Sequence, residues 1–223
     1  MNVLGFDTST AASAACVLRA DGEAFEHEPR PDELLGPPGH ARELMPAAAD
    51  CLNRAGLQWT DLDTVAVGVG PGGFTGLRIG VATARGLAAA HGLELRPVSS
   101  LRALAYGSDE PQTLALIDAR RGEVFAALYE GESEEIAPFS AAPEEVAKRV
   151  RSSGAPPLAV GDGSVRFREV FEAAGLRVAP DESRAHVVRG LSICRLALTT
   201  PAAAPEAVLP DYLRLPDATP LET

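Results

Sequence analysis

An α/β fold of two related lobes, the second reduced, is what this sequence predicts, and three observations carry the prediction. VLGFDTSTAASAACVL near the start and LALIDARRGEVFAALY near the middle share one plan: an apolar strand ending in Asp, a polar turn and a return strand. VAVGVGPGGFTGLRIG and LAVGDGSVRFREVF share a second plan of strand, glycine turn and helix. The two plans recur in the same order at a spacing too long for a solenoid, which points to a duplicated lobe.

Taken in order, Val3 to Phe6, Ala14 to Leu18 and Ala24 to His27 read as an antiparallel start, with Asp21-Gly22 turning the last hairpin. RPDELLGPPG, residues 30–39, is a loop by its prolines and glycines. Ala41, Leu44, Met45, Ala48, Leu52 and Ala55 repeat at helical spacing, so His40 to Ala55 is an amphipathic helix, with Pro46 kinking it or marking an early turn and Gly56 stopping it. Val65 to Val69 is a buried strand, Gly70 to Gly73 a sharp turn, and a helix runs from Thr75 to His91. A short strand, 96–98, and a serine-capped helix, Ser99 to Tyr106, close the first lobe, residues 1–106.

The second lobe, 107–200, reads as strands at 114–117, 124–129 and 158–160 and helices at 142–151, 164–174 and 185–198. Residues 201–223 form a proline-rich tail, partly frayed.

The strand, glycine loop and helix of residues 64–92 suggest an anion site, because a helix N-terminus carries free N–H groups. Against this, Gly76 is followed by Leu77 and Arg78 where a mononucleotide loop needs Lys and Ser or Thr. Gly68, Gly70 and Gly73 fit G-x-G-x-x-G, but Pro71 interrupts the turn and hairpin strands precede it, so a dinucleotide site is disfavoured. Two stripes of small residues, Gly76, Gly80, Ala84, Ala88 and Ala82, Gly86, Ala90, are equally explained by close packing. Interior glycine costs about 1 kcal/mol relative to alanine, so the stripes need such a reason.

With 20 basic and 31 acidic residues, net −11, the chain is unsuited to holding nucleic-acid phosphates unaided. Cys16, Cys51 and Cys194 lie far apart in apolar contexts and read as buried reduced thiols of a cytoplasmic protein. Neither a signal peptide nor a membrane span is legible. His27, His40, His91 and His186 are scattered, and His40 with Glu43 reads as a solvated face, so no metal is expected. Protease chemistry lacks a G-x-S-x-G motif, and Ser9, Ser99 and Ser100 read as turn caps.

Two facing lobes can set Asp7 and Asp118 across one cleft, the plan of the actin, sugar-kinase and heat-shock-chaperone ATPase superfamily. Asp7, Ser9, Thr10, Asp118 and Asp162 are then nucleotide-binding candidates, vestigial ones, since each Asp can equally bond its own turn. A self-sufficient ATPase or small-molecule kinase is the rival reading, weakened by the lack of a glycine clamp with a nearby Lys.

FDTST, GPGGFTGLRIGVATARGLA, VSSLRALA, IDARRGEVFAALY and PDYLR together resemble the TsaB (YeaZ) family, over Val3 to about Arg214. The resemblance implies a degenerate member of that superfamily, needed for N6-threonylcarbamoyladenosine at adenosine 37 of tRNA. It implies a noncatalytic scaffold that binds and activates a TsaD homologue, which performs the transfer. A TsaE homologue joins as ATPase, tRNA is met through the complex, and the free chain can pair with itself. TsaD carries two histidines four residues apart just after its glycine-loop helix; here that stretch reads SSLRAL, Ser99 to Leu104. No cofactor is implied. The helices 40–55 and 75–91 are the expected partner surface, with Leu44, Ala48, Leu52, Gly80, Ala84, Leu87 and Ala88 facing the partner.

Overall fold

The computed structural model describes residues 1–150 and 156–213. Strands β1 (Val3–Asp7), β2 (Ala14–Leu18), β3 (Ala24–His27), β4 (Thr64–Gly70) and β5 (Glu94–Ser99) form one sheet in the order β3-β2-β1-β4-β5. Strands β6 (Gln112–Arg120), β7 (Glu123–Glu130), β8 (Ser133–Ala141), β9 (Leu158–Val160) and β10 (Arg177–Val178) form the second. Read from β8, its order is β8-β7-β6-β9-β10, the same topology strand for strand. In each sheet the first strand pairs antiparallel with the second and parallel with the fourth. The duplication read from two motifs therefore extends to the whole sheet, and the second copy is reduced: β9 has 3 residues against 7 in β4.

Helices α1 (His40–Arg54) and α2 (Phe74–His91) cover one face of the first sheet, where Leu44, Cys51, Val81 and Ala84 meet Leu4, Phe6, Val65 and Val67. In the second lobe α4 (Pro143–Val150), α5 (Asp162–Arg166) and α6 (Arg168–Ala173) follow the corresponding strands, and Phe171 fills the matching core. The opposite faces of both sheets share one core around α3 (Ser100–Tyr106) and α7 (Gly190–Ala197). Leu101 and Leu104 of α3 sit in it with Ala66 and Val98 from one sheet and Ala115 and Ile117 from the other.

Several expectations change. Residues 133–141 carry no apolar alternation, yet they pair as β8 because β7 offers a free edge. The helix expected over 164–174 is two short helices divided at Phe167, which takes φ −115°. Only residues 190–197 of the last expected helix are α-helical; Arg184–His186 is a 3₁₀ turn and Val187 is extended. α7 belongs by sequence to the second lobe but packs on the first sheet, where Gly190 lies against the Ala15 backbone and Cys194 Sγ donates to the Cys16 carbonyl at 3.4 Å. Helix α1 runs through Pro46, and Gly56 at φ +68° follows its end.

The 30–39 segment is a 3₁₀ turn, Pro31–Leu35, pinned by buried Leu34 against Ala12 and Val187. Part of the tail is docked as well: Val208 is buried and the Asp211 N–H donates to the Val69 carbonyl at 2.7 Å. Residue 151, most of the SSGAPP loop and the PDATPLET end lie outside the described residues.

Candidate functional site

Asp7 ends β1 inside the protein, and both oxygens of its carboxylate are hydrogen-bonded there. Oδ1 accepts from the Ser9 N–H at 2.7 Å and the Ser9 hydroxyl at 2.6 Å, while Oδ2 accepts from the Ser100 hydroxyl at 2.6 Å. Burial raises the Asp7 pKa, and the bonds from Ser100 and Ser9 oppose that rise. Gly68 of β4 leaves room for this carboxylate, since a Cβ there would overlap Oδ2. Asp7 and Ser9 therefore spend their polar groups on their own turn and on α3, and Thr10 is buried beside them.

The glycine loop closes over the same turn. The Gly73 N–H, the first free donor of α2, is taken by the Ser9 carbonyl at 2.7 Å. A Cβ on Gly72 would strike Ser9, one on Gly76 the Thr8 carbonyl and one on Gly80 the Thr8 hydroxyl. The Thr8 hydroxyl donates to the Gly76 carbonyl at 2.8 Å. These glycines admit the β1–β2 turn, so the close-packing reading of the loop accounts for them, and the Gly73 N–H is already taken by that turn.

In the second lobe Asp118 repeats the arrangement. Its Oδ1 accepts from the Arg120 N–H at 2.8 Å, and its Oδ2 lies 3.1 Å from Arg120 and 3.3 Å from Arg166. The turn is left-handed at Arg120 (φ 64°), Arg121 (φ 53°) and Gly122 (φ 81°). The Asp118 N–H donates to Asp162 Oδ1 at 3.0 Å, and burial, with the Asp118 charge nearby, pushes Asp162 up to about 6. Among the described residues no hydrogen bond or ion pair links Asp7 with Asp118; the partners of each lie in its own lobe. Among the described residues no three His, Cys, Asp or Glu side chains are grouped so as to hold a metal.

The stripe expected to face a partner faces the core instead. Leu44, Ala48, Leu52, Gly80, Ala84 and Ala88 are buried in the chain itself, and Leu87 is half-buried beside them. Both stripes of α2 are small, so residue size does not distinguish them; the sheet claims the one that fits over Thr8 and Val67. The stripe left in solvent is Ala82, Gly86 and Ala90, with Met45 of α1 41% exposed.

A family model described as TsaD, tRNA N6-adenosine threonylcarbamoyltransferase, matches residues 37–176. The tRNA threonylcarbamoyladenosine biosynthesis protein TsaB of Escherichia coli (strain K12) is 31% identical over 228 residues, covering 96% of this chain and 95% of that protein. The chain belongs to the TsaB (YeaZ) family. TsaB of Bacillus subtilis (strain 168) is 29% identical over 98% of this chain and 96% of its own length. Among solved structures, YeaZ from Pseudomonas aeruginosa superimposes with a TM-score of 0.79 at 30% identity, covering 95% of this chain and 99% of that one.

For this TsaB-family chain, the Ser99–Leu104 stretch does local structural work. Ser99 caps α3 by accepting from the Arg102 N–H at 3.3 Å, and Ser100 holds Asp7. One histidine departs from the sequence reading: His40 is buried, not on a solvated face, with Nδ1 2.8 Å from the Ser13 hydroxyl. Burial lowers its pKa, against the nearby Asp7 and Glu43 charges and a hydrogen bond to the Thr10 carbonyl. Ser13 and His40 are 27 residues apart on different elements, so no local spacing signals the pair.

Proposed function

We propose that this chain is a cytoplasmic partner subunit of the machinery that forms N6-threonylcarbamoyladenosine at position 37 of tRNA. It binds and activates a TsaD homologue and supplies no catalytic group to the transfer. The observation that carries this reading is the internal use of Asp7 and Asp118 in a chain of this family: both carboxylates are committed to their own turns and neighbours. An autonomous ATPase needs acceptors free for a metal and its water, and these two offer little.

The partner surface is then the outer side of α1 and α2, carried by Met45, Ala82, Gly86 and Ala90, and it also serves when the free chain pairs with itself. Side-chain-free positions let a second pair of helices approach closely. A TsaE homologue joins this complex, and tRNA is met through the partners, consistent with a net charge of −11.

The test is a titration of the purified chain with the TsaD homologue of the same organism, read by calorimetry and by threonylcarbamoyl transfer to tRNA. A one-to-one complex that restores transfer, with no ATP turnover by the lone chain, is the expected result. Absence of binding together with ATP turnover by the lone chain would overturn the proposal.

A further inference from the structure

Ser13, Ala11 and Ala12 form one wall of an open pocket of about 700 Å³, whose other walls come from His27 of β3, the segment from Asp32 to Pro37 and α1 from Arg42 to Asp50. Directly behind the Ser13 hydroxyl, 2.8 Å away, lies His40 Nδ1. We propose that Ser13 and His40 are a serine nucleophile and its general base, acting on small carboxylic esters with an uncharged or cationic acyl group. This activity is separate from the partner role and does not rest on it.

Three features support the assignment. The geometry suits proton transfer: Ser13 Oγ lies 2.8 Å from His40 Nδ1, and in the tautomer that carries its proton on Nε2, Nδ1 accepts the Ser13 proton. Burial keeps the ring neutral, the form a general base requires. The backbone N–H groups of Ala11 and Ala12 donate to no acceptor among the described residues, and both residues line the pocket, where an ester oxyanion would form.

The lining also sets the substrate charge. Asp32, Glu33, Glu43 and Asp50 stand against a single Arg42, which disfavours an anionic acyl group.

The chemistry closes without any further reagent. Ser13 Oγ bonds to the acyl carbon as His40 Nδ1 takes the hydroxyl proton. The ester C–O bond then breaks, and the departing alkoxide takes that proton from His40. Water adds to the acyl-serine with His40 as base, releasing the acid and restoring Ser13, so ester and water become acid and alcohol.

The experiment uses a fluorophosphonate probe on the full chain, with the adduct located by peptide mapping. An adduct on Ser13, formed at least tenfold faster than any labelling of folded Ser13→Ala and slowed about tenfold by His40→Gln, is expected. Turnover of 4-nitrophenyl acetate should exceed that of the 4-nitrophenyl hemisuccinate. Labelling elsewhere, or no Ser13 adduct, would overturn the assignment. Should either variant fail to fold, Ser13→Cys keeps the contact with His40. Iodoacetamide should then alkylate position 13 faster than Cys16, Cys51 and Cys194, all buried, and equal rates would reject an activated residue there.

Discussion

Asp7 and Ser100, 93 residues apart in sequence, are joined by a 2.6 Å hydrogen bond in the buried interior. The same Ser100 oxygen accepts from the Gly70 N–H at 3.2 Å. One hydroxyl therefore ties the first hairpin turn, the end of β4 and the start of α3 together.

Ser100→Ala leaves one Asp7 oxygen buried without its donor. A loss of about 1–3 kcal/mol is expected in urea unfolding. Gly68→Ala acts on the same carboxylate by steric overlap, so the double variant should lose less than the sum of the two. A fully additive pair would show that the two sites do not act through Asp7.

Gly80 and Ala82 lie two positions apart on α2 but should behave oppositely. Gly80→Leu drives a side chain into Thr8 and should reduce folding stability by about 1–3 kcal/mol. Ala82→Arg is in solvent and should leave stability within about 0.5 kcal/mol. If the outer stripe is the partner face, Ala82→Arg weakens binding of the TsaD homologue about tenfold or more, equivalent to about 1.4 kcal/mol. Unchanged affinity in that titration would move the partner face elsewhere.

Asp162 supplies a pH dependence of defined sign. Unfolded, it ionises near 3.8; folded, it holds its proton to about 6. Its contribution is fully present below 3.8 and is lost as pH rises through 6, on the order of 2–3 kcal/mol at about 1.4 kcal/mol per unit. Asp162→Asn keeps an acceptor for the Asp118 N–H and cannot ionise, so its stability relative to the parent should rise between pH 4 and pH 7. His40 and His186, whose pKa values burial lowers, contribute with the opposite sense, lost as pH falls below 6.5. They are common to both proteins and cancel. A pH-independent difference would place the Asp162 proton elsewhere.

Gly190 is the contact on which α7 rests. A Cβ there would come within 2.5 Å of the Ala15 carbonyl carbon and 2.7 Å of the Cys16 nitrogen, both backbone atoms that cannot rotate away. Gly190→Ala should lift α7 from β2, lowering stability by about 1–3 kcal/mol and speeding thiol labelling of Cys16 and Cys194. Parent-like labelling rates would mean that the helix tolerates the methyl group.

The strands β1, β2, β4, β6 and β7 and the helices α1 and α2 were legible because their apolar spacing is strong and local. β8 was not, since SEEIAPFSA lacks a strand's alternation, carries Pro138 and becomes a strand only through pairing with β7 at the sheet edge. Nor was the Ser13–His40 contact, made across the β1–β2 turn and the start of α1.

By itself the sequence determined that this is a duplicated α/β chain with Asp at the end of each lobe's first strand, because strand periodicity and turn residues are properties of neighbouring positions. Tertiary structure alone decided which side of α2 meets the sheet. Two stripes of small residues are equivalent along an isolated helix, and the packing of Thr8, His40 and Val67 against Gly76 and Gly80 breaks that equivalence. It likewise decided what the aspartates do, since a carboxylate's role depends on donors such as Ser100 and Arg166 that the fold brings from distant positions.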